Sequence, residues 1–309
     1  MTRFGLQLWG QQTDWPAFRD AALAAEEAGW DSVWTWDHLM AIFGPWEQPI
    51  LEGWSILAAL GALTSRMRLG LMVGANTFRN PGLTAKLATT LDHVSGGRAV
   101  LGIGGAWFER EHDAFGIDFG AGFGDRLDRL DESVMLMRRL LDGERFSHEG
   151  RFYTFHDALC EPRPIQARLP ILVGGSGPRK TLRIVALRAD GWNTAGSLDE
   201  VQGRLDILGR HCADVGRDIA TIEKTVSFPI IIREDRAAGL ARYRALLDHN
   251  GVAAMEGATV PLVGAPTEVA DTLRPYVEMG FETVIVRMPG PYDRETIDRM
   301  AEVRELLDA

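Results

Sequence analysis

The chain has 309 residues, of which 46% are hydrophobic and 25% charged, a globular composition with ample material for a core that excludes a disordered chain. Asp and Glu outnumber Lys and Arg by 43 to 33, for a formal net charge of -10. With no Lys/Arg run to offset that charge, neither nucleic acid nor an anionic membrane is an expected partner. Cys160 and Cys212 stand far apart without CxxC or CxxH spacing, which argues for reduced core thiols over a zinc site or a disulfide framework. The sequence runs from Met1 straight into a strand-like segment and contains no apolar stretch of membrane-spanning length, so the expected location is cytoplasmic.

Short β-rich runs alternate with amphipathic helical stretches almost from end to end, the signature of βα units and a parallel sheet. Residues 3–9 read as a strand. Asp14 before Trp15 and Pro16 reads as a helix start, and Phe18, Ala21, Ala22, Ala25 and Ala28 keep helical spacing up to a stop at Gly29. Further strands are expected at 31–35, 67–73, 98–103, 171–174, 191–194, 221–232 and 282–287, and helices at 53–64, 81–94, 126–141, 179–189, 201–215 and 267–279. Eight strands make a (β/α)8 TIM barrel. The expectation is one domain over residues 1–309, with insertion segments near the barrel mouth around 104–125, 145–169 and 234–261.

In such a barrel the carboxyl ends of the strands face the active site. The second strand ends in Trp36-Asp37-His38, where a carboxylate beside an imidazole can serve as cofactor ligand and proton donor, or be a loop histidine with a structural aspartate. The third runs into Gly74-Ala75-Asn76, small enough for a planar ring to approach the backbone, or a plain loop leading to a helix near Pro81. The fourth ends Gly102-Ile103-Gly104-Gly105-Ala106-Trp107. A GxGxxG dinucleotide fingerprint needs glycine where Trp107 stands, so a Rossmann site is rejected. Trp107, Glu109 and Glu111 either wall a substrate pocket or cap the barrel.

The fifth strand leads into Gly174-Gly175-Ser176-Gly177-Pro178-Arg179-Lys180, where backbone N–H groups at a helix start, a hydroxyl and nearby cations can hold an anion. A glycine-rich turn with solvated Arg and Lys is the alternative, and a Walker A loop fails at Arg179. Thr194, at the end of the sixth strand, and a helix start near Ser197 can face the same anion. The sequence contains no HxxxH, HExxH or GxSxG pattern, which leaves hydrolase chemistry poorly supported. The six other histidines are expected to be structural or solvated.

Taken together, these segments resemble the luciferase-like monooxygenase superfamily and, within it, the F420-dependent oxidoreductases of the LLM class. The resemblance rests on AAEEAGWDSVWTWD (24–37) with His38, TSRMRLG (64–70), NTFRNP (76–81), LDHVSGGRAVLGI (91–103), GGAWFE (104–109) and ILVGGSG followed by RADGWN (171–193). It implies a tricyclic ring at the barrel mouth, supported by a bulge with a non-proline cis peptide at Met72–Val73, with Asp37 near the ring and His38 as proton donor or acceptor. Asn76 and Gly105 belong to the implied cofactor site, and Gly175, Ser176, Gly177, Arg179 and Thr194 would hold the phosphate and its tail. The implied activity is hydride transfer between coenzyme F420 and an unidentified small-molecule substrate, in a homodimer. The alternatives are an FMN-dependent two-component monooxygenase and a non-catalytic flavin carrier. Relatives acting on sugar phosphates carry Glu where Trp107 stands, which argues for a flatter or more apolar substrate.

Overall fold

The computed structural model describes residues 1–252 and 261–309. All eight expected barrel strands are present: β1 (Arg3–Leu8), β2 (Ser32–Thr35), β3 (Arg68–Leu71), β4 (Ala99–Gly104), β5 (Ile171–Gly174), β6 (Gly191–Thr194), β7 (Glu223–Phe228) and β8 (Thr283–Met288). They pair in parallel in the order β3-β2-β1-β8-β7-β6-β5-β4, and β3 pairs with β4 to close the ring.

Two expected strands are interrupted, each for a local reason. The 67–73 run leaves the ladder after Leu71 and rejoins β4 as the two-residue strand Gly74–Ala75. The 221–232 run breaks at Pro229, which has no N–H for the ladder, and Ile230–Ile232 pairs instead with Leu262–Gly264 outside the barrel.

The connecting helices α1 (Trp15–Glu27), α2 (Gly53–Leu63), α3 (Pro81–Ser95), α4 (Phe123–Leu141), α5 (Thr181–Arg188), α6 (Leu198–Asp214) and α7 (Pro266–Glu278) match the expected positions within a few residues. Their starts follow capping chemistry. Asp14 accepts from Ala17 N at 2.9 Å, Asn80 caps α3 ahead of Pro81, and Ser197 and Glu200 form a reciprocal capping box on α6. The sequence reading did not anticipate the last helix, α8 (Arg294–Asp308). Of the insertions, 104–125 contains a helix, Glu109–Phe115, and 145–169 contains an antiparallel hairpin of Phe146–Glu149 with Thr154–Ala158. The third holds a helix, Arg236–His249, and its residues 253–260 lie outside those described.

Alternation along the strands sorts the core into two parts. Phe4, Leu6 and Leu8 of β1 and Val284 and Val286 of β8 face the helices. Trp34, Met72, Val100, Leu172 and Ile285 form a separate cluster in the barrel lumen. A Cβ on Gly5 or Gly70 would lie 2.7 Å from the Trp34 indole, so these glycines make room for the ring that plugs the lumen. With the lumen filled, the mouth at the carboxyl ends is left to form the concave surface. No helix among the described residues is long and apolar enough to cross a membrane, and both cysteines are free and buried.

The β8–α8 connection is fixed by Asp293, which accepts from Arg233 (2.7 and 3.0 Å), Arg242 (2.8 Å) and the Thr296 hydroxyl (2.6 Å). Burial alone would raise its carboxyl, but these donors outweigh burial and hold it at about 2. The folded value lies below the ordinary 3.8, so the stabilisation is present above that pH and is lost as pH falls toward 2. Asp293→Asn is expected to cost roughly 2 kcal/mol at neutral pH. Denaturant titrations should show the gap from the wild type narrowing below pH about 4. A gap independent of pH would rule out the charge as its source.

Candidate active site

The carboxyl ends of the strands surround a pocket of about 490 Å³, within the range of small-molecule and cofactor sites. Nine of the eleven sequence-designated residues line it: Asp37, His38, Met72, Val73, Gly105, Gly175, Ser176, Gly177 and Thr194. The other two do not. Asn76 is turned into the protein at 4% exposure, and Arg179 is exposed on the turn before α5.

Asp37 is buried, and both of its oxygens are engaged. Arg79 Nη1 and Nη2 donate to Oδ2 (2.6 Å) and Oδ1 (2.9 Å), and Ala75 N donates to Oδ2 (2.9 Å). Burial pushes the carboxyl up from its ordinary value, while the bidentate guanidinium and the N–H favour the carboxylate. Asp37 thus ties β2 to the strand re-entry at Gly74–Ala75. The Met72–Val73 peptide between them is cis, and Gln7 Nε2 donates to Met72 O at 2.7 Å from across the barrel.

The glycines around Val73 are explained by packing. A Cβ on Gly104 or Gly174 would stand 2.8 Å from a Val73 methyl, and one on Gly102 would overlap Leu71 O at 1.9 Å. The glycine-rich ends of β4 and β5 therefore seat the bulge and leave the mouth above it with a smooth floor.

His38 Nδ1 lies 2.9 Å from Glu111 Oε1, and Glu111 Oε2 accepts from Leu39 N at 2.9 Å. Glu111 is 1% exposed and His38 14% at the side chain, so the pair is largely shielded from water. A carboxylate only accepts, so this contact places a proton on Nδ1, and in the neutral imidazole Nε2 is the nitrogen with the lone pair. The rings of Trp36 and Trp107 pack edge-on to the imidazole at 6.0 and 5.8 Å, fixing its plane. Of the Trp107 segment, Trp107 and Glu111 line the pocket and Glu109 does not.

On the opposite side Gly175 has φ +129°, a conformation suited to glycine, and Trp192 Nε1 donates to Gly175 O at 2.8 Å. Ser176 Oγ lies 3.1 Å from Thr194 Oγ1, which accepts from Arg204 Nη1 at 3.2 Å. The N–H groups of Ser176 and Gly177 have no partner among the described residues. Lys180 is held by Asp128 and Gly124 O. Arg204, which also donates to Ala195 O, stands behind Thr194 at this loop, while Arg179 is exposed on the turn that follows it.

Arg79, Arg204 and Arg287 escaped the sequence reading of the site, which named Glu111 as pocket wall but not as the partner of His38. Arg204 alone left a signal: the Ser197–Glu200 capping box fixes the first turn of α6, and Arg204 follows one turn later on the same face. His112, expected to be structural, is buried between Thr77 Oγ1 (2.6 Å) and Phe108 O (2.8 Å). No cluster of metal-ligating side chains occurs among the described residues.

A profile of the luciferase-like monooxygenase family matches residues 1–259. The F420-dependent glucose-6-phosphate dehydrogenase of Kineococcus radiotolerans is 32% identical, over 88% of this chain and 86% of that protein. The enzyme of the same name from Microbacterium testaceum is 29% identical, over 96% and 94%. Among solved structures, an F420-dependent secondary alcohol dehydrogenase in complex with an F420-acetone adduct superposes with a TM-score of 0.85 at 18% identity, covering 99% of both chains. That likeness supports the barrel. Sequence match and fold agree, and the chain belongs to the luciferase-like monooxygenase family.

Proposed function

We propose that this protein is an F420-dependent oxidoreductase transferring a hydride between the deazaflavin and a small organic substrate, with His38 moving the accompanying proton. The observation that carries this reading is the shielded His38–Glu111 pair beside the Met72–Val73 bulge, in one pocket with a glycine-rich loop. The residues present fit such a cofactor. A Cβ on Gly104 or Gly174 would meet Val73, and the resulting smooth floor suits a flat ring. The unpartnered N–H groups of Ser176 and Gly177, with Arg204 beside Thr194, suit a phosphate.

Met72, Val73, Asp37 and Gly105 would hold the ring, and Gly175, Ser176, Gly177 and Thr194 its phosphate-bearing tail. When bound, deazaflavin supplies a carbon in place of the reactive flavin nitrogen, which leaves two-electron hydride chemistry. His38 Nε2 is the atom that takes or returns the substrate proton, Glu111 holds the imidazole in the required tautomer, and Trp36 and Trp107 keep water from it. FMN would find the same floor and anion loop, and the preference for F420 is supported by the relatives named as F420-dependent.

The test is a fluorescence titration of the purified apoprotein with oxidised F420 and, separately, with FMN. Saturable F420 binding is expected. Binding of FMN alone, with oxygen consumption on supplied reduced FMN, would replace the proposal with a two-component monooxygenase.

A further inference from the structure

The pocket extends past the proposed cofactor side to the ends of β7, β8 and β1, where Ser227, Pro229, Arg287 and Gln7 line it together with Tyr243 of the outer helix Arg236–His249. Arg287 is in register with Gln7 across the β1–β8 ladder, so both side chains point into the barrel. Arg287 is partly buried, and its Nε and Nη2 are closed off from solvent with no acceptor among the described residues. Elsewhere at the mouth the carboxylates have donors: Arg79 to Asp37, and His38 Nδ1 and Leu39 N to Glu111. Among the described residues, the one titratable group acting on Arg287 is the phenol of Tyr243, and burial pushes the guanidinium down from its ordinary value. A guanidinium keeps its charge even so, and a buried cation with unmet donors is costly until an anion joins it.

Within the oxidoreductase reading above, we propose that Arg287 is the receptor for a carboxylate on the substrate, and that the substrate is a monoanion with a flat apolar body. Charge count separates this from a phosphate ester. Arg287 is the one Lys or Arg side chain lining the pocket among the described residues, and both carboxylates of the lining already have their donors, so the pocket offers a substrate anion a single cation. The planar fork of a guanidinium also matches the two oxygens of a carboxylate. The body of the substrate would lie against Trp9, Trp36 and Phe43, whose rings pack on one another with Trp9 at 4.6 Å from Trp36 and 4.9 Å from Phe43, and against Trp107 and Phe123.

Calorimetric titration of the protein, with and without F420, by naphthoate, naphthamide and naphthyl phosphate tests the assignment on one aromatic body. The wild type is expected to bind naphthoate roughly 10- to 100-fold more tightly than naphthamide. Arg287→Met, of similar length and uncharged, should erase that preference, and Arg287→Lys should keep part of it. Equal binding of acid and amide by the wild type, or a preference surviving in Arg287→Met, would overturn the proposal. Tighter binding of the dianionic phosphate would overturn the single-charge assignment. F420 affinity, read separately by fluorescence, should be the same in all three proteins. If the wild type fails to bind F420, the cofactor reading falls, while the acid-over-amide preference of the protein alone still decides the role of Arg287.

Discussion

Turnover of the His38→Ala enzyme is expected to fall by roughly 10²-fold or more, with F420 affinity little changed, on any substrate the wild type oxidises or reduces with F420. The asymmetry follows from where His38 stands. Its Nδ1 is committed to Glu111 and the ring lines the pocket, so truncation removes the proposed proton relay. The floor, made by Val73 and its surrounding glycines, is untouched. Steady-state kinetics and a fluorescence titration on the same preparation check both halves. Unchanged turnover would remove His38 from the mechanism, and an equal loss of cofactor affinity would make it a ligand.

Much of the barrel was legible because parallel strands buried on both sides produce short apolar runs, and the helices between them carry wide apolar stripes. The errors lie where a run of the right composition meets a local obstacle. Pro229 ends β7 three residues before the apolar run 230–232 does, and the chain leaves the ladder after Leu71. In α8 the buried stripe is Ile297, Met300 and Val303, set among Arg, Glu and Asp, too sparse for the period to stand out.

The candidate site divided along the same line. Asp37, His38 and the Gly175–Gly177 loop were legible because a strand end announces its own position at the mouth. Asn76 and Arg179 follow strand ends too, but turns carry them off the pocket: Asn76 into the protein and Arg179 out to solvent. Pairings between distant residues left no mark, even where one partner, Glu111, was singled out as pocket wall. Glu111 reaches His38 from 73 positions away, Arg79 reaches Asp37 from 42, and neither spacing is a motif. Their pairing is a product of barrel closure, which sequence periodicity does not encode.

Neutralising the carboxylate in Glu111→Gln is expected to lower turnover roughly 10- to 100-fold, toward the lower part of the range for general acid–base groups, with KM and F420 affinity held. A glutamine has one acceptor oxygen where Glu111 now serves both His38 Nδ1 and Leu39 N. Its amide N–H₂ can also face the imidazole and favour the other tautomer, with the proton on Nε2. A buried side chain at 1% exposure can lower activity simply by loosening the loop, and the double variant separates the two causes. If Glu111 acts through His38, adding Glu111→Gln to His38→Ala costs little further turnover, because the relay it orients is gone. If it acts by holding the Leu39 backbone, the loss is the same in both backgrounds and the melting temperature falls with it. Additive losses would therefore reduce Glu111 to a structural residue, whereas a collapsed second loss would place it in the proton relay beside His38.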